Sequence, residues 1–143
     1  MVWGNLPFSF FMASNFIIGD LVSRLNIASY KRLVSIKVLR TQFSLALLDV
    51  LWKQGVINGF TIRNDSVLVF LKYRRFMPVL KKIKIVSRPG KRVFWSLSKL
   101  SLNYRVSSFA GFFIISTSKG LITSSDCLLG LNVSGEVILQ VST

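Results

Sequence analysis

The segment Phe112-Phe113-Ile114-Ile115-Ser116-Thr117-Ser118-Lys119-Gly120 constrains this chain more than any other. Two aromatic and two β-branched residues in a row favour a buried strand. Ser116, Thr117 and Ser118 then offer small donor and acceptor groups that can approach another molecule closely. Gly120 allows a tight turn or a positive φ. Fifteen residues after that glycine, Gly135-Glu136-Val137-Ile138 opens a second β-favouring run. A strand that ends this way delivers polar groups to something outside the fold. The alternative is a serine-rich turn with no partner.

Charge narrows the choice of partner. Nineteen Lys and Arg stand against five Asp and Glu in 143 residues, a balance that attracts nucleic acid or an anionic membrane. Eighteen of the cations fall between residues 24 and 105 with only two acids, whereas residues 106–143 hold Lys119 against Asp126 and Glu136. The basic surface and the hydroxyl-rich surface are therefore different parts of the molecule. With 51% apolar residues the chain has ample material for a core, in one compact domain or two small ones. Cys127, the single cysteine, has no intrachain partner for a disulfide and packs as a small apolar residue. Asn64-Asp65-Ser66 and Asn132-Val133-Ser134 match the glycosylation triplet but read as turns.

Periodicity yields a first α/β unit. Asp20 is an expected N-cap for a short helix over 21–27, with Leu21, Leu25 and Ile27 inward. Residues 33–38 read as a strand. Thr41 caps a helix whose Phe43, Leu47, Leu48 and Leu51 form an apolar stripe and whose stop is Gly55. Strands over 56–62 and 67–72, separated by Arg63-Asn64-Asp65-Ser66, predict an antiparallel hairpin. From residue 74 to 92 there are eight cations and no acid: Arg74, Arg75, Lys81, Lys82, Lys84, Arg88, Lys91 and Arg92. Residues 79–86 alternate as a strand with lysines on one face, and Ser87-Arg88-Pro89-Gly90 is a strong turn. Val93-Phe94-Trp95 resumes extended structure. Further strands are expected over 112–116 and 136–141, with a short helix around 124–129. The fold class is α+β, as two small α/β domains: an N-terminal helix-strand-helix-hairpin unit over 20–75 and a mostly β C-terminal unit with one short helix over 76–143.

Residues 1–19 carry no charge and are rich in Phe, but Asn5, Pro7, Ser9, Ser14 and Asn15 interrupt the run of about 20 apolar residues that a membrane span needs. Neither a secretory nor an arginine-rich import pattern is present, so a hydrophobic extension packing on the domain or on a neighbouring protein is expected. Catalysis has little support. There is no histidine, and the acids at 20, 49, 65, 126 and 136 have no paired-carboxylate or metal-ligand spacing. Ser118-Lys119-Gly120 lacks the glycine-rich approach of a P-loop. No enzyme activity, cofactor, metal or small-molecule substrate is expected.

In combination, Asp20 and Arg24, the helix closing at Gly55, Leu71-Lys72-Tyr73, Val86-Ser87-Arg88-Pro89-Gly90 with Arg92, Ser116 to Gly120 and Gly135-Glu136-Val137-Ile138 make the chain resemble bacterial-type small-subunit ribosomal protein eight over residues 20–141. The resemblance implies a two-domain α/β protein that binds the central domain of small-subunit rRNA and supports its assembly. It assigns the principal RNA contact to Ser116, Thr117, Ser118, Lys119, Gly120, Gly135 and Glu136. Hydroxyls can read 2′-OH groups and irregular parts of a stem, while Arg74, Arg75, Lys81, Lys82, Lys84, Ser87, Arg88, Pro89, Gly90 and Arg92 supply the phosphate-facing side. Glu136, acidic beside RNA, is expected to orient the loop by accepting hydrogen bonds.

The chain departs from the family where Ser134 replaces the first of two glycines. Residues 123–136 are one residue longer, carrying Cys127, Leu128 and Leu129 in place of basic residues, and the usual Arg-Asn is missing near Asn26 and Ile27. These departures and the Phe-rich start suggest an organellar copy, in the small subunit of a mitochondrial ribosome in the matrix, with another organellar or a bacterial ribosome as the alternative. Neighbouring ribosomal proteins are expected partners, and stable membrane insertion is not. Two rivals remain: a basic membrane-associated protein anchored by residues 1–19, and an RNA-binding module outside the ribosome.

Overall fold

The protein's structure, a computed structural model, describes residues 8–88, 90–106, 111–118, 120–126 and 135–143. Phe16–Ile83 form one compact unit and Lys84–Ser142 the body of another.

Helix α1, Phe8–Lys31, comes first, and its residues from Phe16 onward belong to the first unit. It starts twelve residues before the expected cap, because Ile18, Leu21, Val22, Leu25, Ala28 and Ser29 make one buried stripe at helical spacing that continues upstream of Asp20. Asp20 is thus mid-helix, and its carboxylate accepts a hydrogen bond from Arg24 Nε at 3.0 Å across one turn. Ile27, expected inward, falls off the stripe and is 52% exposed. No helix among the described residues is long and apolar enough to cross a membrane.

Strand β1, Ser35–Leu39, leads to α2, Gln42–Lys53. Thr41 caps α2 in extended conformation, its Oγ1 accepting from the Ser44 amide at 3.1 Å. Phe43, Leu47, Leu48 and Leu51 are all buried as their spacing requires. At the other end Gly55 takes φ +75°, so that its amide reaches Trp52 O and the Val56 amide reaches Leu51 O, a Schellman closure. α1 closes the same way without a glycine. Arg32 takes φ +56°, with Arg32 N bonded to Ser29 O and Leu33 N to Ala28 O. A side chain in that conformation costs about 1–2 kcal/mol.

Strands β2, Ile57–Ile62, and β3, Ser66–Leu71, form the expected antiparallel hairpin, with β3 central in the order β1-β3-β2. Val67, Val69 and Leu71 point alternately into the core. Arg40 fastens the turn by donating to the carbonyls of Arg63 and Asn64, each at 3.2 Å.

The strand expected over 79–86 is shorter. β4, Tyr73–Arg74, and β5, Met77–Pro78, first make a small hairpin around Arg75 and Phe76, both at positive φ; β6 is Lys82–Ile85. Asn26 holds the buried end of this segment, donating to Ile83 O at 2.9 Å and accepting from Ile83 N at 2.8 Å. The Ser29 hydroxyl donates to Leu80 O.

The second unit is built on one antiparallel-rich sheet. Its strands are β6, β7 (Phe94–Trp95), β8 (Gly111–Thr117), β9 (Gly120–Thr123) and β10 (Gly135–Ser142), in the order β6-β10-β8-β9 with β7 also paired to β10. Six consecutive residues of β8, 112–117, are buried, so the strand is covered on both faces. Helix α3, Leu97–Val106, was not apparent in the sequence; it places Leu100 against Phe113, Ile115 and Val137. Trp95 meets Phe113 edge to face at 5.1 Å. α4, Ser124–Asp126, is the described part of the expected short helix, and residues 127–129 lie outside the described residues.

Candidate nucleic-acid interface

Burial places the apolar half of β8 in the core, each Ile or Phe contributing about 1.5–3 kcal/mol, and the hydroxyls follow from that placement. Ser116 is 8% and Thr117 4% exposed, and both still belong to the strand. Thr117 Oγ1 donates to Gly120 O at 3.1 Å, closing the β8–β9 turn in which Thr117 pairs with Gly120. Gly120, at φ +106°, supplies the backbone conformation this turn requires. Ser118 is the exposed hydroxyl of the run. Lys119 lies outside the described residues, as does Pro89.

The second motif is fastened to the first by strand register. Glu136 pairs with Ser116 across β10 and β8, and with Phe94 across β10 and β7. A Cβ on Gly135 would lie 2.1 Å from Ser116 O and 3.2 Å from Thr117 Cγ2. Only glycine fits there, because the obstacle is backbone. Glu136 Oε1 accepts from Arg92 Nη1 at 3.1 Å, with the two side chains 11% and 17% exposed. This ion pair satisfies an acid that would otherwise be buried alone.

Ser87 is 3% exposed. Its hydroxyl donates to Val137 O at 2.7 Å and accepts from Val93 N at 3.0 Å, tying the segment after β6 to β10. The turn that follows is closed by reciprocal bonds between Arg88 and Lys91, with Gly90 at φ +80°, a conformation that favours glycine. Arg88, Gly90 and Lys91 are exposed. Residues far apart in sequence, namely Ser87, Arg92, Ser116, Thr117, Ser118, Gly120, Gly135 and Glu136, are thereby linked in one sheet.

The remaining candidates are held differently. Lys82 and Lys84 are exposed on either side of buried Ile83, the alternation of one strand face, and Lys81 is exposed just before β6. Arg74 and Arg75 are exposed on the β4–β5 hairpin of the first unit. Asn26 is a positioning residue that sequence reasoning missed. Its bonds to Ile83 span 57 residues, and no local signal announces them. Among the described residues no group of acids and thiols could hold a metal ion.

Comparison with known proteins identifies the pattern. The model of the family described as Ribosomal protein S8 matches residues 17–142. The small ribosomal subunit protein uS8 of Orientia tsutsugamushi (strain Boryong) is 37% identical over 136 residues, covering 91% of this chain and 99% of that protein. The uS8 of Dichelobacter nodosus is 41% identical over 100 residues, covering 68% and 74%. The small ribosomal subunit protein uS8m of Acanthamoeba castellanii is 28% identical over 127 residues, covering 88% and 98%.

Proposed function

The chain belongs to the ribosomal protein S8 family, whose members are structural ribosomal proteins and not enzymes, and from that premise we propose that it binds the central domain of small-subunit rRNA directly and supports its assembly. The carrying observation is that the Ser116–Gly120 turn and Gly135-Glu136 are one hydrogen-bonded unit, stiffened by the partly buried Arg92–Glu136 pair. A pre-set surface of this kind recognises an irregular RNA stem without paying to order itself.

Within it Ser118 and the backbone of Gly120 and Gly135 face the RNA, and Lys119, which lies outside the described residues, is the cation proposed for the same contact. Ser116, Thr117, Ser87, Arg92 and Glu136 hold the surface in shape. The Arg88–Lys91 turn with Gly90 presents Arg88, Pro89 remains a proposed contact, and Arg74, Arg75, Lys81, Lys82 and Lys84 contribute phosphate attraction. By sequence the proposed RNA-binding domain is 76–143, with an α/β domain over 20–75 and an N-terminal extension over 1–19, while the compact units themselves divide between Ile83 and Lys84. Neighbouring ribosomal proteins are the other partners. Likeness to uS8m supports a place in the small subunit of a mitochondrial ribosome, and the bacterial relatives support a bacterial-type ribosome generally.

Sucrose-gradient sedimentation of an organelle lysate, following the protein by mass spectrometry, tests this reading. Comigration with the small subunit, abolished by ribonuclease, is expected. Ribonuclease-insensitive migration with membranes would overturn it.

A further inference from the structure

On the first unit, Arg75, named above only for phosphate attraction, belongs to a surface whose other residues have no part in the site already described. Arg32, Val34, Tyr73, Arg75 and Phe76 line an open concavity of about 490 Å³. Phe76 is 90% exposed at the tip of the β4–β5 hairpin, and Val34 is 73% exposed. Arg32, Arg75 and Phe76 are the three non-glycine residues with positive φ among those described, so all three line this one concavity. A two-residue hairpin with both φ positive is ordinarily made by Asn-Gly or a similar pair. Here the same backbone displays a guanidinium and a phenyl ring instead, and conformational strain of this kind persists where the displayed groups are used.

The lining defines the occupant. Among the described residues it is lined by two guanidiniums and no acid, Arg74, adjacent in sequence, is exposed, and it offers an exposed aromatic ring. An unpaired nucleotide satisfies both features at once, its base stacking on the ring and its phosphate meeting the guanidiniums. We propose that the concavity under the β4–β5 hairpin binds an unpaired nucleotide of RNA, stacked on Phe76 and held through its phosphate by Arg32 and Arg75. This rests on the ribosomal RNA-binding reading and adds a second, single-stranded contact to it.

The full-length protein is titrated with two probes, fluorescein-labelled deca-uridine and the central domain of small-subunit rRNA, as wild type, Phe76→Ala, Phe76→Gly and Phe76→Trp. Deca-uridine affinity is expected to fall about tenfold in Phe76→Ala and Phe76→Gly, the scale of one lost base stack, and to survive in Phe76→Trp. Phe76→Gly is also expected to raise Tm by a few degrees, since glycine relieves the positive φ. Stability and binding then move in opposite directions, which misfolding does not produce. Unchanged deca-uridine affinity in both truncated variants, with rRNA binding intact, would overturn this inference alone. Failure of the wild type to bind either RNA would overturn it together with the ribosomal reading. Crosslinking of Phe76 to a protein instead of RNA in the assembled subunit would assign the concavity to a protein partner and also overturn it.

Discussion

The β8–β10 end of the second unit and the exposed cations between residues 74 and 91 both carry polar side chains suited to RNA, yet they are held in opposite ways. At the first, Ser116, Thr117, Ser87 and Glu136 are buried, and bonds to carbonyls, amides or a guanidinium fix their neighbourhood. At the second, Arg74, Arg75, Lys81, Lys82, Lys84 and Arg88 are exposed. Exposed charges act through a screened field that tolerates imprecise placement. Buried groups act through shape and tolerate almost none. The contrast separates two contributions that RNA-binding proteins combine, salt-dependent attraction and salt-independent fit.

The largest expected effect breaks the fitted side alone. Gly135→Ala forces a Cβ against Ser116 O, so β8 and β10 must separate locally. A loss on the order of 3 kcal/mol, high for a single substitution, is expected in denaturant unfolding; a variant as stable as wild type would show that the strands yield freely. Arg92→Ala comes next. It strands the nearly buried Glu136 carboxylate, at a cost of about 2 kcal/mol because both side chains keep some exposure, while Arg88→Ala, a few residues away and exposed, changes stability by less than about 0.5 kcal/mol. Equal effects in thermal melts would erase the distinction between the two regions.

A smaller effect concerns Tyr73, which belongs to the first unit. Burial raises its phenol above the ordinary 10.0, with nearby Arg32 opposing the shift. The folded state therefore holds this proton more tightly than the unfolded chain. The corresponding stability is complete below the unfolded pKa and is lost as pH rises through the folded one. Tyr73→Phe should flatten that alkaline decline, as read by urea midpoints between neutral pH and pH values above 10.0; an unaltered decline would assign it to other groups.

Local signals made much of this fold legible. Thr41, the stripe from Phe43 to Leu51 and Gly55 each act within a few residues of the structure they set, and α2 follows them closely. The Arg63–Ser66 turn and the turn after Ser87 were legible for the same reason. α1 was truncated in the sequence reading because Asp20 looks like a cap, although the buried stripe passes through it. The β4–β5 hairpin was missed because its turn holds Arg75 and Phe76 where glycine or asparagine would announce it. α3 was missed because serines, an asparagine and cations interrupt its leucines, of which Leu100 is buried and Leu102, off the helical stripe, is exposed.

At the site, motif spacing brought forward segments that strand pairing joins in the fold, but it could not show which hydroxyls are buried. That depends on where the core ends along β8. Nor could it pair Arg92 with Glu136, 44 residues apart.

The most direct measurement is the affinity of the full-length protein for central-domain rRNA across a range of KCl concentrations, for wild type, Ser118→Ala and a Lys81→Gln, Lys82→Gln, Lys84→Gln triple variant. Ser118→Ala should weaken binding with the slope of log K against log salt unchanged, and the triple variant should lower that slope by roughly one unit per lost phosphate contact. Identical salt dependence in both variants would contradict the division between a fitted surface and an attracting one.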